Sequence, residues 1–343
     1  MTAYFLRRFL LIVPTFLGIT LVVFVVMHFV PGGPIERQIM AYKMAMAQEG
    51  GGGASLGQFG TEISPEAIEE MKKFYGFDRP VHIRYARWLW NVLHLDLGNS
   101  YLYQDPVWDV IKTRFPISIF LGLTGFLLSY AVCVPLGVLK AVRHGSRFDF
   151  VSSALVFLGY AVPGWALGTA LLVLFGGGSF WSIFPLGGFR SDNWEYLSFA
   201  RKIVDQGQHM FLPVLCYMLG EFATLTILTK NSLMENMAQD YVRTAFAKGL
   251  QTRRVIFVHA LRNSLIPIAT GLGHVFSLIL AGSFLIEKVF NIDGMGYLGY
   301  TSILQRDYPV ALGILVIGSL LMLIGNILSD IIYAIVDPRI RFK

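Results

Sequence analysis

Few residues of this sequence have the types and spacing that suit catalysis. The phosphate-binding motif Gly-x-x-x-x-Gly-Lys-Ser/Thr, the zinc motif His-Glu-x-x-His and the Cys-x-x-Cys pair do not occur. The seven histidines are scattered without metal-ligand spacing. Cys133 and Cys216 lie within apolar stretches, where packing is expected rather than a disulfide or a metal site. We therefore predict a chain that is not an enzyme, has no catalytic residues and holds no metal ion or cofactor of its own.

Glu221 is the ionisable residue with the clearest chemical role, because it lies inside an apolar stretch. A carboxylate at membrane depth is costly and usually faces the interior of a helix bundle or a water-filled cavity. Glu221, together with Asn231, is therefore a candidate for lining a translocation path. The alternative is that Glu221 only hydrogen-bonds to helices of this chain or of a partner, and the sequence leaves both possibilities open.

The composition indicates which elements must position such a residue. Of the 343 residues, 55% are hydrophobic and only 15% are charged, and the mean hydropathy is +0.58. A soluble globule of this size cannot hide so much apolar surface, which excludes a typical cytosolic enzyme. Six stretches reach the length of about 20 residues that a membrane-spanning helix needs. They are Phe9–Val30, Phe115–Leu139, Phe150–Phe175, His209–Thr229, Ser264–Ile286 and Ala311–Ile335.

The distribution of charge predicts the orientation of these spans. Half of the 28 lysines and arginines fall in four segments between or beyond the spans, namely 1–8, 140–149, 230–263 and 336–343. The positive-inside rule places such segments on the cytoplasmic side of the membrane. The first apolar stretch is longer than the core of a signal peptide, which has about 7–15 residues. We therefore expect an uncleaved first helix and both termini in the cytoplasm.

The largest predicted outside segment covers residues 31–114. Its Gly-rich part, 48–60, has low hydrophobicity and predicts a flexible loop. Ser64 and Pro65 suit the start of a helix that runs to about Gly76. A second helix is predicted over Arg84–Leu93. The segment either packs over the outer ends of the membrane helices or takes part in ligand binding.

Segment 230–263 is the most informative of the predicted cytoplasmic segments. Val242, Ala245, Phe246 and Leu250 recur at helical spacing, which predicts a short amphipathic helix lying along the membrane surface. Gly249 is predicted to stop this helix. The helix either rests on anionic lipid or forms a docking element for a soluble partner that pushes on the membrane helices.

Several short motifs, taken in order, resemble those of one family. The chain is similar to the B-type permease subunits of bacterial peptide ABC importers, the oligopeptide/dipeptide permease group. The motifs that carry the resemblance are Pro31-Gly32-Gly33-Pro34, Tyr75-Gly76-Phe77-Asp78-Arg79-Pro80, Asp96-Leu97-Gly98-Asn99-Ser100, the coupling or EAA loop around Asp240–Leu250, Glu287 with Gly294-Met295-Gly296, Arg306-Asp307-Tyr308-Pro309 and Asp337-Pro338-Arg339-Ile340.

Further features resemble a narrower branch, the Yej-type importers of peptides and microcin C. These are the Gly-rich insertion near 48–60, the Pro-Gly-Gly-Pro motif and Leu228-Thr229-Lys230-Asn231-Ser232. Two departures stand out in the coupling loop. Phe246 occupies the position where the family usually has arginine, and the loop lacks the glutamate for which it is named, as it commonly does in peptide permeases.

The resemblance implies an all-α integral membrane protein with six transmembrane helices of the type I ABC importer permease kind. The implied organisation is an N-terminal tail with helix 1 over 1–30, a small helical periplasmic segment over 31–114, a permease core over 115–335 that includes the coupling loop 230–263, and a cytoplasmic tail over 336–343. The localisation implied is the bacterial inner membrane.

The resemblance also implies partners and site residues. The chain would form half of a channel with a second homologous permease subunit in the lipid bilayer. Two ATPase domains or subunits, which bind ATP and magnesium, and a periplasmic substrate-binding protein complete the importer. Its substrate would be a peptide or peptide-like compound and not a nucleic acid. The residues implied in coupling to the ATPases are Asp240, Tyr241, Val242, Arg243, Ala245, Phe246, Lys248, Gly249 and Leu250.

Two other functions stay open at this stage. One is an autonomous secondary transporter, which would favour paired intramembrane acids or two inverted halves with broken helices. The sequence has no repeated halves. The other is a membrane scaffold protein with a helix that lies on lipid. Copurification of an ATPase and a second permease would separate the importer from both.

Overall fold

The computed structural model describes residues 2–29, 78–178, 180–271 and 283–336, together with the isolated positions 39, 66, 69, 70 and 73. Several predicted features lie outside the described residues. They are the Gly-rich loop over 48–60, most of the helix predicted over 64–76, the central part of the fifth span, and the tail beyond residue 336.

The described residues are mainly helical, and we number the α-helices in chain order. They are α1 (Thr2–Phe29), α2 (Val81–Leu93), α3 (Val107–Val142), α4 (Arg147–Ala161), α5 (Gly164–Phe175), α6 (Phe199–Met237), α7 (Asp240–Ala247), α8 (Thr252–Arg254), α9 (Leu261–Ser264), α10 (Ile266–Thr270), α11 (Phe284–Val289), α12 (Met295–Leu304) and α13 (Tyr308–Val336). A π-helical segment, Val255–Ala260, joins α8 to α9.

Four of the predicted spans are confirmed as single helices that are long and apolar enough to cross a membrane. These helices are α1, α3, α6 and α13. All four are longer than predicted, and the largest differences are in α3, which has 36 residues, and α6, which has 39. At about 1.5 Å per residue, α6 is about 58 Å long and exceeds a hydrocarbon core of about 30 Å. It therefore extends well beyond the hydrocarbon core of the membrane.

The third predicted span, Phe150–Phe175, is wrong as a single helix. The structure has two helices, α4 and α5, which are bent by 96° at a short break. The break lies at Val162 and Pro163, both of which have extended backbone. Proline disfavours the helical conformation of the residue before it, so α4 ends before Pro163 and a new helix starts after it. If this bent pair counts as one span, the described residues contain five candidates.

The fifth predicted span, Ser264–Ile286, stays a prediction. The described residues at its start form the short helices α9 and α10, with Leu265 between them and Pro267 in the first turn of α10. At its other end, α11 begins after Ser283, whose hydroxyl caps it by accepting a hydrogen bond from the Ile286 amide at 3.4 Å. The residues between these parts lie outside the described chain.

The chain divides into two compact units. The first consists of Met1–Ile12, Arg114–Leu298 and Gly318–Lys343, and the second of Val13–Thr113 and Gly299–Ile317. The first unit has a core in which the side chains of Leu121, Cys216 and Phe290 are almost fully buried. Cys133 and Cys216 are both free and buried, in agreement with the predicted packing role.

The second unit joins α2 to α1 through aromatic contacts. The ring of Phe24 lies 5.4 Å from that of Tyr85 and 5.5 Å from that of Trp88. The Tyr85 and Thr20 hydroxyls are 3.0 Å apart. These contacts fix α2, whose bounds confirm the helix predicted over Arg84–Leu93.

A buried carboxylate organises the other part of this unit. Asp307 accepts hydrogen bonds from the Ser100 hydroxyl at 2.5 Å and from the Tyr101 and Leu102 amides at 3.0 and 3.3 Å. Two of the motifs that carry the family resemblance therefore meet in space, although about 200 residues separate them in sequence.

Candidate functional site

The short helix α7 occupies the segment in which a docking helix was predicted. It runs from Asp240 to Ala247, and Gly249 follows with φ of +76°. Residues with a Cβ atom rarely adopt this left-handed backbone conformation, which glycine reaches without strain. The predicted stop at Gly249 is thus confirmed, and it turns the chain sharply into α8.

One face of α7 packs into a hydrophobic cluster. Val242 is 1% exposed, Ala245 is buried, and Leu250 packs against the same cluster from beyond the turn. The cluster, which we call the coupling core, also contains Val138, Ala141, Leu233, Val255, Ile256 and Ala260. It joins α7 to α3, to the last turns of α6 and to the π-helical segment. Through this cluster α7 is in direct contact with two of the long helices.

The opposite face of α7 is exposed. It presents Asp240, Tyr241, Arg243, Phe246 and Lys248. The placement of Phe246 on the apolar face is wrong, because its ring is 43% exposed. Successive residues of a helix are turned by about 100°, so Phe246 lies at the border of a narrow buried face that holds Val242 and Ala245. An exposed aromatic ring among cations is typical of a contact with another protein.

An ion cluster next to the coupling core ties α6 to the turn between α3 and α4. The Lys230 ammonium donates to both carboxylate oxygens of Asp149 at 2.7 Å. Lys140, which is 1% exposed, donates to the Ser152 and Ser153 hydroxyls at 2.9 and 2.7 Å. Its ammonium also lies 3.4 Å from an Asp149 oxygen.

This cluster was not predicted as a site. The sequence places Lys140 among the positive-inside charges and Lys230 among these charges and in the motif Leu228-Thr229-Lys230-Asn231-Ser232, but their common partner cannot be inferred from spacing. One local signal was present: Ser146 and Asp149 form a helix-start pattern, and the Ser146 hydroxyl accepts a hydrogen bond from the Asp149 amide at 3.3 Å. An acid in the first turn of α4 is also favoured by the helix dipole.

A close helix contact lies between the ion cluster and the middle of α6. A Cβ atom added at Gly137 would lie 2.6 Å from Thr229 Cβ and 2.7 Å from the Thr226 carbonyl oxygen. Only glycine allows α3 and α6 to approach so closely at this point. The contact fixes the position at which the two longest described helices cross.

Glu221 and Asn231 lie on one exposed face of α6. The exposed residues of this helix from its middle to its end are Gly220, Glu221, Thr224, Leu228, Asn231 and Glu235. Their spacing of three and four residues places them along a single stripe. The structure thus brings the two predicted path residues onto the same face, but only Glu221 lines a cavity.

The cavity has a volume of about 700 Å³ and is lined by residues of α3, α5, α6, α10 and α11. Its wall contains the aromatic side chains of Phe126, Tyr130, Trp165 and Tyr217. Glu221 is the one charged residue among the described residues that line it. A mostly apolar cavity with few polar groups, of this size, is typical of small-molecule sites.

Glu287 is a buried acid that contacts the cavity-lining Tyr217 and has a structural task. Its side chain is fully buried, and its carboxylate accepts hydrogen bonds from the Tyr297 amide at 2.7 Å and the Tyr217 hydroxyl at 3.2 Å. A Cβ atom at Gly294 would lie 2.7 Å from the carboxyl carbon of Glu287. The glycine of this family motif is therefore required by the carboxylate that it contacts.

The described residues offer no metal site. Among them, no group of three or more His, Cys, Asp or Glu side chains lies close enough to hold a metal ion. The chemistry that the arrangement supports is therefore recognition by charge, hydrogen bonding and aromatic contact, together with mechanical connection between α7 and the long helices.

Comparison with known proteins bears on these features. The model of the family described as "binding-protein-dependent transport system inner membrane component" matches residues 133–342, more than half of the chain. The chain is 41% identical to the peptidoglycan transport system permease protein YejB of Agrobacterium fabrum, over 100% of this chain and 99% of the relative. It is 41% identical to the inner membrane ABC transporter permease protein YejB of Escherichia coli O157:H7 and 34% identical to the dipeptide transport system permease protein DppB of Escherichia coli K12, in both cases over 100% of the two chains.

The matched region contains α4 to α13, the coupling core, and Glu221 with most of the residues that line its cavity. The full-length relatives cover the second unit as well. These findings confirm the resemblance that the sequence motifs indicate. The chain belongs to the family of inner membrane components of binding-protein-dependent transport systems.

Proposed function

We propose that the chain is the permease subunit of an ATP-driven importer that takes up peptides or peptide-like compounds through a bacterial inner membrane by alternating access. The observation that carries this proposal is the continuity of α6. This one helix presents Glu221 to a cavity at membrane depth and, at its other end, packs against the exposed helix α7.

The exposed stripe on α6 supports a half-channel. An acid at membrane depth is costly when it faces lipid. The stripe also contains the polar residues Thr224 and Asn231, so it is unsuited to lipid over most of its length. A second homologous permease that covers this face would place the stripe on a path between the two subunits.

The exposed face of α7 supports docking of soluble ATPase subunits or domains. Tyr241, Arg243, Phe246 and Lys248 offer aromatic contact and positive charge, while Val242 and Ala245 hold the helix on the coupling core. ATP and magnesium would be bound by these partners and not by this chain. Nucleotide shifts the equilibrium between inward and outward states only if the ATPases contact the two states differently.

The orientation follows from the charges of the sequence. With the coupling segment on the cytoplasmic side, both termini are cytoplasmic and the substrate-binding protein approaches from the periplasm. The Arg8 side chain, which pairs with Asp330 near the other end of the chain, then lies on the same side as α7. Two buried lysines and Asp149 also lie on that side.

The relatives' names support the substrate class. They are described as permeases for peptidoglycan, for dipeptides and, in the AppB protein of Bacillus subtilis at 34% identity, for oligopeptides. Each of these descriptions refers to a compound that contains a short peptide chain. Peptide-like compounds such as microcin C are consistent with this class.

The experiment that tests the proposal begins with extraction of the full-length chain from its native membrane in mild detergent. Mass spectrometry of the copurified proteins is then followed by measurement of ATP hydrolysis with and without peptide and binding protein. We expect recovery of a second permease and an ATPase, and hydrolysis that rises when the loaded binding protein is added. Active transport by the purified chain alone would favour a secondary transporter, and a chain without either partner and without transport would favour a scaffold.

A further inference from the structure

The cavity beside α6 has an uneven distribution of charge. The carboxylate of Glu221 faces a wall whose other described residues are apolar, aromatic or neutral polar. No hydrogen bond or ion pair joins Glu221 to any of the residues that the structure describes. A carboxylate in such surroundings has an electrostatic preference for a cation, because no countercharge among the described residues of the wall competes.

Aromatic side chains strengthen this preference. Tyr130 and Trp165 line the same cavity as Glu221. The face of an aromatic ring attracts an ammonium group, and the attraction is larger when the cation is partly desolvated. A cation that enters the cavity can therefore meet a carboxylate and ring faces together.

Two glycines of the cavity wall allow close helix packing, and a third, next to Glu221, borders open space. A Cβ atom at Gly125 would lie 3.0 Å from Tyr217 Cβ, and one at Gly164 would lie 3.1 Å from the Cys216 carbonyl oxygen, so these positions allow close helix packing. At Gly220, the neighbour of Glu221, the same test finds nothing within 4 Å. The wall of the cavity at Gly220 therefore borders open space.

We infer that Glu221 binds the N-terminal ammonium group of the peptide during its passage, an assignment that rests on the proposed import function. The α-ammonium group is the cation that every unmodified peptide carries, whatever its side chains. A single carboxylate next to an open wall can therefore bind this group in peptides of any sequence. Peptides whose N-terminus is blocked lack the cation and lose this contact.

The test compares two peptides of the same sequence, one with a free N-terminus and one with an acetylated N-terminus. Uptake of each is measured with the assembled importer in proteoliposomes that hold ATP, for the unchanged chain and for Glu221→Gln. The ratio of free to acetylated uptake is determined for both chains. Any preference of the binding protein contributes equally to both ratios and cancels when they are compared.

We expect Glu221→Gln to lower this ratio by about tenfold to about a hundredfold, the range expected for loss of a hydrogen bond to a charged group. Glu221→Asp, which keeps the charge, should retain most of the preference. Glu195→Gln neutralises an exposed acid that does not line the cavity, and it should leave the ratio unaltered. An unchanged ratio in Glu221→Gln would overturn the inference.

A second variant keeps the test decisive if Glu221→Gln fails to assemble. Thr224→Lys places an ammonium group one helical turn from Glu221, where it can pair with the carboxylate. We expect this variant to lose the preference for the free N-terminus as well, and a retained preference would contradict the inference. Absence of uptake of either peptide by the unchanged importer would instead contradict the proposed function.

Discussion

Lys230 and Asp149 form a two-point ion pair in which the ammonium lies 2.7 Å from both carboxylate oxygens. The pair is largely buried, and Lys140 closes it from the other side at 3.4 Å. It connects the part of α6 next to the coupling core with the first turn of α4. Because Asp149 belongs to α4, this pair directly connects the end of α6 next to the coupling core with the first helix of the bent pair α4 and α5.

Removal of the shared carboxylate should destabilise the protein strongly. Asp149→Ala leaves Lys140 and Lys230 buried without their anionic partner, and loss of one partner from a buried pair costs about 3–5 kcal/mol. The expected result is a clear fall in the apparent melting temperature of the detergent-solubilised complex. Asp240→Ala, which removes the acid of an exposed pair with Arg243, is the matched control and should cost about 0–1 kcal/mol.

The turn at Gly249 should tolerate only residues that reach the left-handed region. A Cβ atom at Gly249 meets no neighbouring atom, so the cost of Gly249→Val, about 1–2 kcal/mol, is expected from the backbone conformation. We expect normal membrane insertion but a loss of peptide-driven ATP hydrolysis, because α7 leaves the coupling core at another angle. Gly249→Asn adopts positive φ more readily and should retain coupling. Equal coupling in both variants would show that the turn geometry is unimportant.

Two residues of α7 should separate docking from packing. Phe246→Ala removes an exposed ring and should reduce ATPase binding and transport while leaving the melting temperature nearly unchanged. Val242→Ala removes a buried side chain, whose burial contributes about 1.5–3 kcal/mol, and should lower the melting temperature. Measurement of both quantities for both variants checks the assignment, which is wrong if Phe246→Ala affects stability and leaves ATPase binding intact.

The contact between Gly137 and Thr229 should not accept a side chain. Gly137→Ala places a methyl group against Thr229 and the Thr226 carbonyl, and overpacking of this kind costs about 1–3 kcal/mol. Gly220→Ala is the matched control, because it lies in α6 next to open space. There the same substitution should leave the melting temperature unchanged or raise it slightly. A similar loss in both variants would contradict a specific role for the close contact.

The sequence was sufficient for the features that depend on local pattern. Apolar stretches predicted α1, α3, α6 and α13, since a membrane-spanning helix is defined by length and composition. The stop at Gly249 was predictable from one residue whose conformational freedom is unusual. The common face of Glu221 and Asn231 on α6 was implicit in helical spacing, once the helix was known to be continuous through both.

Features that depend on distant residues were not predictable in the same way. The bend at Pro163 was missed because proline within a membrane helix is compatible either with a kinked helix or with two helices, and hydropathy does not distinguish them. The exposure of Phe246 depends on how far the coupling core extends, which is set by Val138 and Ala141 in another helix. The partnership of Lys140, Asp149 and Lys230 joins residues that are up to 90 positions apart in the printed sequence.

The close contact at Gly137 gives α6 the properties of a lever. Thr229 lies eight residues from Glu221 and eight from Met237, where α6 ends, which corresponds to two arms of about 12 Å at 1.5 Å per residue. A rigid rod held at such a fulcrum moves its two ends in opposite directions by similar amounts. We therefore expect a sideways displacement of α7 to reach the carboxylate of Glu221 with reversed sense.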